Sequence, residues 1–231
     1  MMSTAAFRAA PGHGIASECR ALIVDDHQLF RNGLSELLST QPGVTVCGEA
    51  GEFHEALEKF QALKPNFVMV DISLAKGNGL DLVERLKTLD PNVSVLVVSM
   101  FDEAVYADRA IAAGASGYLC KQAPNEEVLR AVQTVRNNGM YLSQPMMERL
   151  LRRKSGSKAL VADSEEKQLS TRELQIFSLI GQGETTQRIA QHLNLSPSTV
   201  ETYRERIKNK LDLANGAELT RRAILWMMRA T

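Results

Sequence analysis

Four short stretches are largely apolar, residues 20–25, 67–71, 93–99 and 117–120, and residues 44–49 read as a fifth strand. Strands buried on both faces in a parallel sheet carry this signature. Between them the apolar positions change to helical spacing. Leu29, Phe30, Leu34, Leu37 and Leu38 mark a first helix, Phe53, Ala56, Leu57 and Phe60 a second, and Leu80, Leu82, Val83 and Leu86 a third. Further helices are predicted over 103–113 and 125–137. Pro42-Gly43, Pro65 and Gly77-Asn78-Gly79 punctuate the series. Strands alternating with helices predict an α/β fold, a doubly wound five-stranded parallel sheet with right-handed crossovers.

After Gly139 the pattern fades. Arg149, Arg152, Arg153, Lys154 and Lys158 sit among serines and glycines. A helical start near 144–153 and a flexible linker are expected, with the whole linker spanning 139–165. From Leu169 onward the chain reads as helix only. Ser170-Thr171-Arg172-Glu173 is a capping box, and Gly181 and Gly183 are expected to end that helix. A second helix spans about 185–193. Ser196-Pro197 starts a third that runs to about Lys210, and a last helix covers about 216–228. A small all-α domain over 166–231 should therefore follow the sheet domain over 19–138.

Length and composition narrow the class. The 231 residues suit two ordinary domains. No apolar stretch approaches the roughly 20 residues of a membrane helix. Residues 1–18 lack a charged start and a long apolar core, so they read as a disordered lead-in and not a secretory signal. Cys19, Cys47 and Cys120 are odd in number and widely spaced, which points to a reducing cytoplasm and to cysteines acting as small hydrophobes. Net charge is zero overall but uneven. Residues 20–138 hold 11 Lys+Arg against 16 Asp+Glu, and residues 165–231 hold 10 against 8. An acidic front and a mildly basic rear suggest different partners.

The chemistry collects at the strand ends. Asp25-Asp26, Asp71, Ser99 and Lys121 each close an apolar run or follow it directly. Sites in open α/β sheets form at the carboxyl ends of the strands. Three carboxylates brought together repel one another, and a hard divalent cation such as Mg²⁺ relieves this while needing few protein ligands. Asp71 can act as a nucleophile toward a phosphoryl group, Lys121 can pair with that group, and Ser99 can donate to one of its oxygens. His27 is expected on the exposed start of the first helix and not as a ligand. Gly77-Asn78-Gly79 is expected to be only a turn.

In the tail, Val200, Tyr203, Ile207 and Leu211 share one helical face. Ser198, Glu201, Thr202, Glu205 and Asn209 lie opposite, flanked by Arg206 and Lys208. The preceding helix buries Ile189, Ala190 and Leu193. The pair reads as a helix-turn-helix whose second helix enters the major groove.

These words resemble a known family. Asp25-Asp26, Asp71, Ser99 and Lys121, at gaps of 45, 28 and 22 residues after Asp26, are similar to the flavodoxin-like receiver domain of bacterial two-component response regulators. The resemblance implies Asp71 as phosphoacceptor and Asp26 as a direct Mg²⁺ ligand. It also implies Asp25 acting through water, the backbone carbonyl of Ser73 in the metal site, and Ser99 and Tyr118 as a coupled switch. Leu74-Ala75-Lys76 stands where relatives often carry Met-Pro-Gly, so a more mobile loop with an added charge is expected. Leu169-Ser170-Thr171-Arg172-Glu173, Ile189-Ala190, Leu195-Ser196-Pro197-Ser198-Thr199-Val200 and Lys210-Leu211 resemble the LuxR-type DNA-binding domain. Together they are similar to the NarL/FixJ class.

That resemblance implies a cytoplasmic transcriptional regulator. Its partners would be a sensor histidine kinase, double-stranded DNA and a second copy of itself, with RNA polymerase a further candidate. Ser198, Thr199, Glu201, Thr202, Arg204, Glu205, Arg206 and Lys208 would be its DNA contacts, with Glu201, Thr202 and Glu205 facing the groove. It would not be an enzyme beyond slow self-dephosphorylation. The rival is an aspartyl-phosphate phosphatase, but haloacid dehalogenase-like enzymes place a second Asp where Ser73 stands. A regulator that works without phosphorylation is a third reading.

Overall fold

A computed structural model of the chain describes residues 18–154 and 165–230. Most of the expected lead-in, the later part of the linker and Lys158 lie outside the described residues.

Five strands form one parallel sheet: β1 (Cys19–Val24), β2 (Val44–Ala50), β3 (Phe67–Val70), β4 (Ser94–Ser99) and β5 (Gly117–Cys120). Their spatial order is β2-β1-β3-β4-β5. Every residue of β3 and β4 is buried, which is why those runs carry no polar alternation. Edge strand β2 is buried only at its two ends. Cys47 on β2 and Cys120 at the end of β5 are accordingly half-buried, and Cys19 alone of the three is fully buried. The expectation that Cys47 and Cys120 pack as interior residues is corrected to this extent.

Successive strand residues face opposite sides. Ala21, Ile23, Met69, Leu96 and Val98 pack beneath α1 (Gln28–Ser39) and α5 (Asn125–Arg136). Leu22, Val24, Val68, Val70, Val95 and Val97 face α2 (Phe53–Leu63), α3 (Gly79–Leu89) and α4 (Glu103–Ala112).

The rest is helical: α6 (Gln144–Lys154), a 3₁₀ turn (Glu165–Gln168), α7 (Thr171–Gly181), α8 (Thr186–His192), α9 (Pro197–Lys210) and α10 (Gly216–Ala230). The capping box forms as expected: Ser170 Oγ accepts from Glu173 N and Glu173 Oε2 accepts from Ser170 N. α7 runs through Gly181, and the reversal falls at Gly183, whose φ of 84° suits a residue without Cβ. Val200, Ile207 and Leu211 point inward from α9, while Tyr203 is half-buried. On α10, Leu219 and Ala223 are buried while Ile224, Leu225 and Met228 face solvent.

The two halves share a core. The residues beneath α4 continue without a break into Leu169, Leu174, Phe177 and Ile180. Arg109 on α4 donates to Leu169 O at 2.8 Å and to Glu166 O at 3.3 Å. Tyr106 Oη lies 3.2 Å from Ser178 Oγ, with both groups buried. On the outer side of α4, Arg149 of α6 donates to Ala104 O and pairs with Asp108.

Candidate functional site

The parallel sheet delivers the expected residues to one edge. Asp25 and Asp26 follow β1, Asp71 follows β3, Ser99 ends β4 and Lys121 follows β5. Asp25 and Asp71 are each only 2% exposed. Lys121 Nζ lies between them, 2.6 Å from Asp25 Oδ2 and 2.7 Å from Asp71 Oδ2. The ring of Phe30 sits 4.8 Å from the same ammonium.

One lysine does not neutralise this cluster. Burial pushes the Asp71 carboxyl up to about 7, opposed by Lys121 and reinforced by the Asp25 charge. For Lys121, burial pulls downward, but Asp71 and Asp25 outweigh it and hold the ammonium above its ordinary value. The pocket thus favours added positive charge.

Oxygen ligands for a cation converge there. One ligand atom from each of Asp25, Asp26, His27 and Asp71 falls within 4.8 Å of the others. The Asp26 side chain is 7% exposed, and its Oδ1, 2.7 Å from His27 Nδ1, is buried without an aligned hydrogen bond. Three converging carboxylates, two of them buried, offer the hard oxygen donors that suit a divalent cation. His27 caps α1 and is exposed as expected, yet its imidazole turns back onto the acid pair, an approach the sequence reading missed.

The loop after Asp71 is tied down more than its sequence suggests. A Cβ on Gly79 would lie 1.9 Å from the Asp71 carbonyl oxygen, so glycine is what lets α3 start against the site. Asn78 caps that helix by accepting from Leu80 N at 2.8 Å. Leu74 is buried, and Lys76 is paired at 2.9 Å with Glu52 of the neighbouring loop. The expected free charge beside Asp71 is therefore taken up elsewhere. The Ser73 hydroxyl faces the helical domain, where it accepts from Gln175 Nε2 at 3.2 Å.

Ser99 and Tyr118 converge on the backbone of one residue, Phe101. The Ser99 hydroxyl oxygen accepts from Phe101 N at 3.2 Å, and the Tyr118 hydroxyl donates to Phe101 O at 2.8 Å. The Phe101 ring lies 5.0 Å from that of Tyr106, which reaches Ser178 of α7. A packed path thus joins the acidic pocket to the helical domain.

On α9 the side chains of Ser198, Glu201, Thr202, Glu205, Arg206 and Asn209 are exposed. Thr199 and Ser198 are engaged at the helix cap, each 2.8 Å from Ser196 Oγ. Glu201 accepts from Thr186 Oγ1 at 2.7 Å and approaches Arg204 at 3.5 Å. Lys208 pairs with Glu205 at 2.9 Å. Arg206 lies over the Tyr203 ring at 5.4 Å. The basic residues expected at DNA are thus mostly held by acidic neighbours on the same helix.

A switch-type sheet domain with an acidic pocket, packed against a helix-turn-helix, defines a class of two-domain regulators. Residues 21–133 match the response regulator receiver domain, and residues 167–223 match the bacterial regulatory proteins of the luxR family. The chain is 36% identical over 205 residues to Response regulator GacA of Pseudomonas protegens, covering 89% of this chain and 95% of that protein. It is 32% identical over 207 residues to Transcriptional regulatory protein MctR of Rhizobium johnstonii, covering 89% and 92%. RcsB from Salmonella enterica serovar Typhimurium, solved on promoter rprA with the phosphomimetic BeF3⁻, has the same fold, with TM-score 0.57 and 21% identity over 89% of this chain and 98% of that one. The protein belongs to the response regulators with a receiver domain and a LuxR-type DNA-binding domain.

Proposed function

We propose that the chain is a transcriptional regulator switched by phosphorylation of Asp71. The observation that carries this is the Asp71 carboxylate, buried at the strand edge and joined to Asp25 through Lys121, in a chain whose α9 leaves its outer face bare. A carboxylate oxygen of Asp71 attacks phosphorus as the P–N bond to a donor imidazole breaks. Lys121 then pairs with the phosphoryl oxygens, and the Ser99 hydroxyl, which at rest meets Phe101 N and Tyr118, donates to one of those oxygens. Mg²⁺ would be held by Asp25, Asp26, Asp71 and the Ser73 carbonyl, and when bound it offsets the charge that builds up on the phosphoryl group. Because Ser99 and Tyr118 hold the N–H and the carbonyl of one residue, tightening at Ser99 is felt at Phe101, Tyr106 and α7.

The donor is a sensor histidine kinase. A groove of about 860 Å³ between α1 and the start of α5 opens beside Lys121, and Leu29, Phe30, Leu37, Met100 and Val128 line it. Leu29 and Met100 are strongly exposed, which suits a helical partner that must bring an imidazole to Asp71. On the DNA side, α9 enters the major groove of double-stranded DNA. Glu201, Thr202 and Glu205 read base edges, while Ser198, Thr199, Arg204, Arg206 and Lys208 contact phosphates. Ile224, Leu225 and Met228 form an apolar patch on α10 through which two copies pair, and RNA polymerase is the further partner on DNA. The chain acts in the cytoplasm. It accepts phosphate without turning over a substrate, since Ser73 lacks the proton-transfer capacity of a second aspartate.

The test is phosphorylation with radiolabelled acetyl phosphate and Mg²⁺, followed by footprinting on DNA. Label on the wild type, none on Asp71→Ala, and a footprint that strengthens with label are expected. Unlabelled wild-type protein, or labelled Asp71→Ala, sinks the proposal.

A further inference from the structure

The acidic pocket has a lid made from the DNA-binding domain. Two side chains of that domain touch the pocket's rim and a third adds charge nearby. Asn194, in the turn between α8 and α9, donates through Nδ2 to Asp26 Oδ2 at 2.9 Å. Gln175, fully buried on α7, donates to Ser73 Oγ. Arg172, at the start of α7, is fixed by its own domain, donating to Gln175 Oε1 at 3.0 Å and to Leu193 O at 3.1 Å. Burial lowers its pKa, while the Tyr203 phenol oxygen and the Asp26 and Asp71 carboxylates act the other way, so the guanidinium lies within the field of the acidic pocket. Asn194 takes the left-handed backbone (φ 50°), so its amide is presented by a conformation that asparagine tolerates and few other residues do.

We infer that this lid and a divalent cation compete for the same carboxylates, so that metal binding alone loosens the docking of the DNA-binding domain. This rests on the metal-site reading proposed above. The docked state already offers Asp26 an amide donor and sets the Arg172 charge within electrostatic reach of Asp26 and Asp71. A divalent cation at Asp25, Asp26 and Asp71 draws on those same lone pairs and repels that guanidinium. Linkage makes the antagonism reciprocal: whatever factor docking takes from metal affinity, metal takes from docking. Asp26 Oδ1, which faces His27 and not Asn194, gives the cation a first foothold before Asn194 lets go. Phosphorylation, which needs the metal, would then act on a protein whose lid is already lifted. The acid pair would thus act both as ligand set and as tether.

The experiment uses the full chain with Mn²⁺ as the probe. Binding is counted from the free-ion paramagnetic resonance signal, and the radius of gyration is followed by small-angle scattering over the same range. Asn194→Gly keeps the left-handed turn and removes the amide, and Gln175→Ala opens the lid at its other edge. Tighter Mn²⁺ binding is expected in both variants, by about fivefold, the low end of typical site-to-site coupling because the Asn194 contact is open to water. Wild-type protein should expand over the range in which its site fills. Equal affinity in all three proteins, or filling without expansion, overturns this inference alone. If none of the three binds Mn²⁺, the metal-site reading fails and this inference fails with it.

Discussion

Replacing Tyr106 by Phe tests whether the buried hydroxyl pair ties the two domains together. Tyr106 is 1% exposed and Ser178 is 2% exposed, and their oxygens are 3.2 Å apart. The Ser178 hydroxyl already donates to Leu174 O at 2.9 Å, so it accepts from Tyr106 and is not orphaned when that donor goes. The loss is then a net neutral hydrogen bond, about 1 kcal/mol, without the larger cost of a stranded polar group. That corresponds to about a fivefold fall in the docking equilibrium. The assay is a double-mutant cycle of Tyr106→Phe, Ser178→Ala and the pair, with the docked fraction read by fluorescence transfer between dyes on the two domains. A coupling of about 0.5–1.5 kcal/mol is expected. Strict additivity, within about 0.3 kcal/mol, would refute the idea that this contact holds the domains together.

Other substitutions probe the pocket and the DNA face. Lys121→Met leaves Asp25 and Asp71 buried without their cation and should cost about 3–5 kcal/mol in urea unfolding, with recovery on adding Mg²⁺. For Glu173, burial raises the carboxyl, but Lys210 at 2.7 Å and the hydrogen bonds from Ser170 outweigh it, so its pKa is lowered. A lowered folded value stabilises above the unfolded value and is lost as pH falls through the folded one. Glu173→Gln should therefore cost about 1 kcal/mol at neutral pH, and thermal melts of the two proteins should converge below roughly pH 4. Glu201→Ala releases Arg204 and Thr186 and removes an acceptor for cytosine, so binding to varied operators should tighten overall and lose discrimination at one position. Uniform tightening with unchanged preference would show that Glu201 reads no base.

The sheet was legible because its inner strands are buried on both faces, and a run such as Val93-Ser94-Val95-Leu96-Val97-Val98 fits little else. The acidic pocket was legible because parallel strands carry their ends to one edge. The lid was not. Gln175 and Ser178 are polar residues on a helix, and their burial depends on a partner more than sixty residues away in sequence. One trace existed: Leu174, Ile176, Phe177, Leu179 and Ile180 wrap α7 on more than one side, as a helix enclosed from two directions requires. Asn194 carried no signal, since an asparagine in a left-handed turn already has a local explanation. The restraint on Lys76 was equally hidden, because Glu52 meets it only through the packing of α2 beside α3.

The packed arrangement buries the pocket of the receiver and leaves the outer side of α9 uncovered. A resting copy can therefore touch a promoter in passing, and idle occupancy should rise with cellular abundance. Signal strength would be felt mainly at weak operators, where such passing contact does not last.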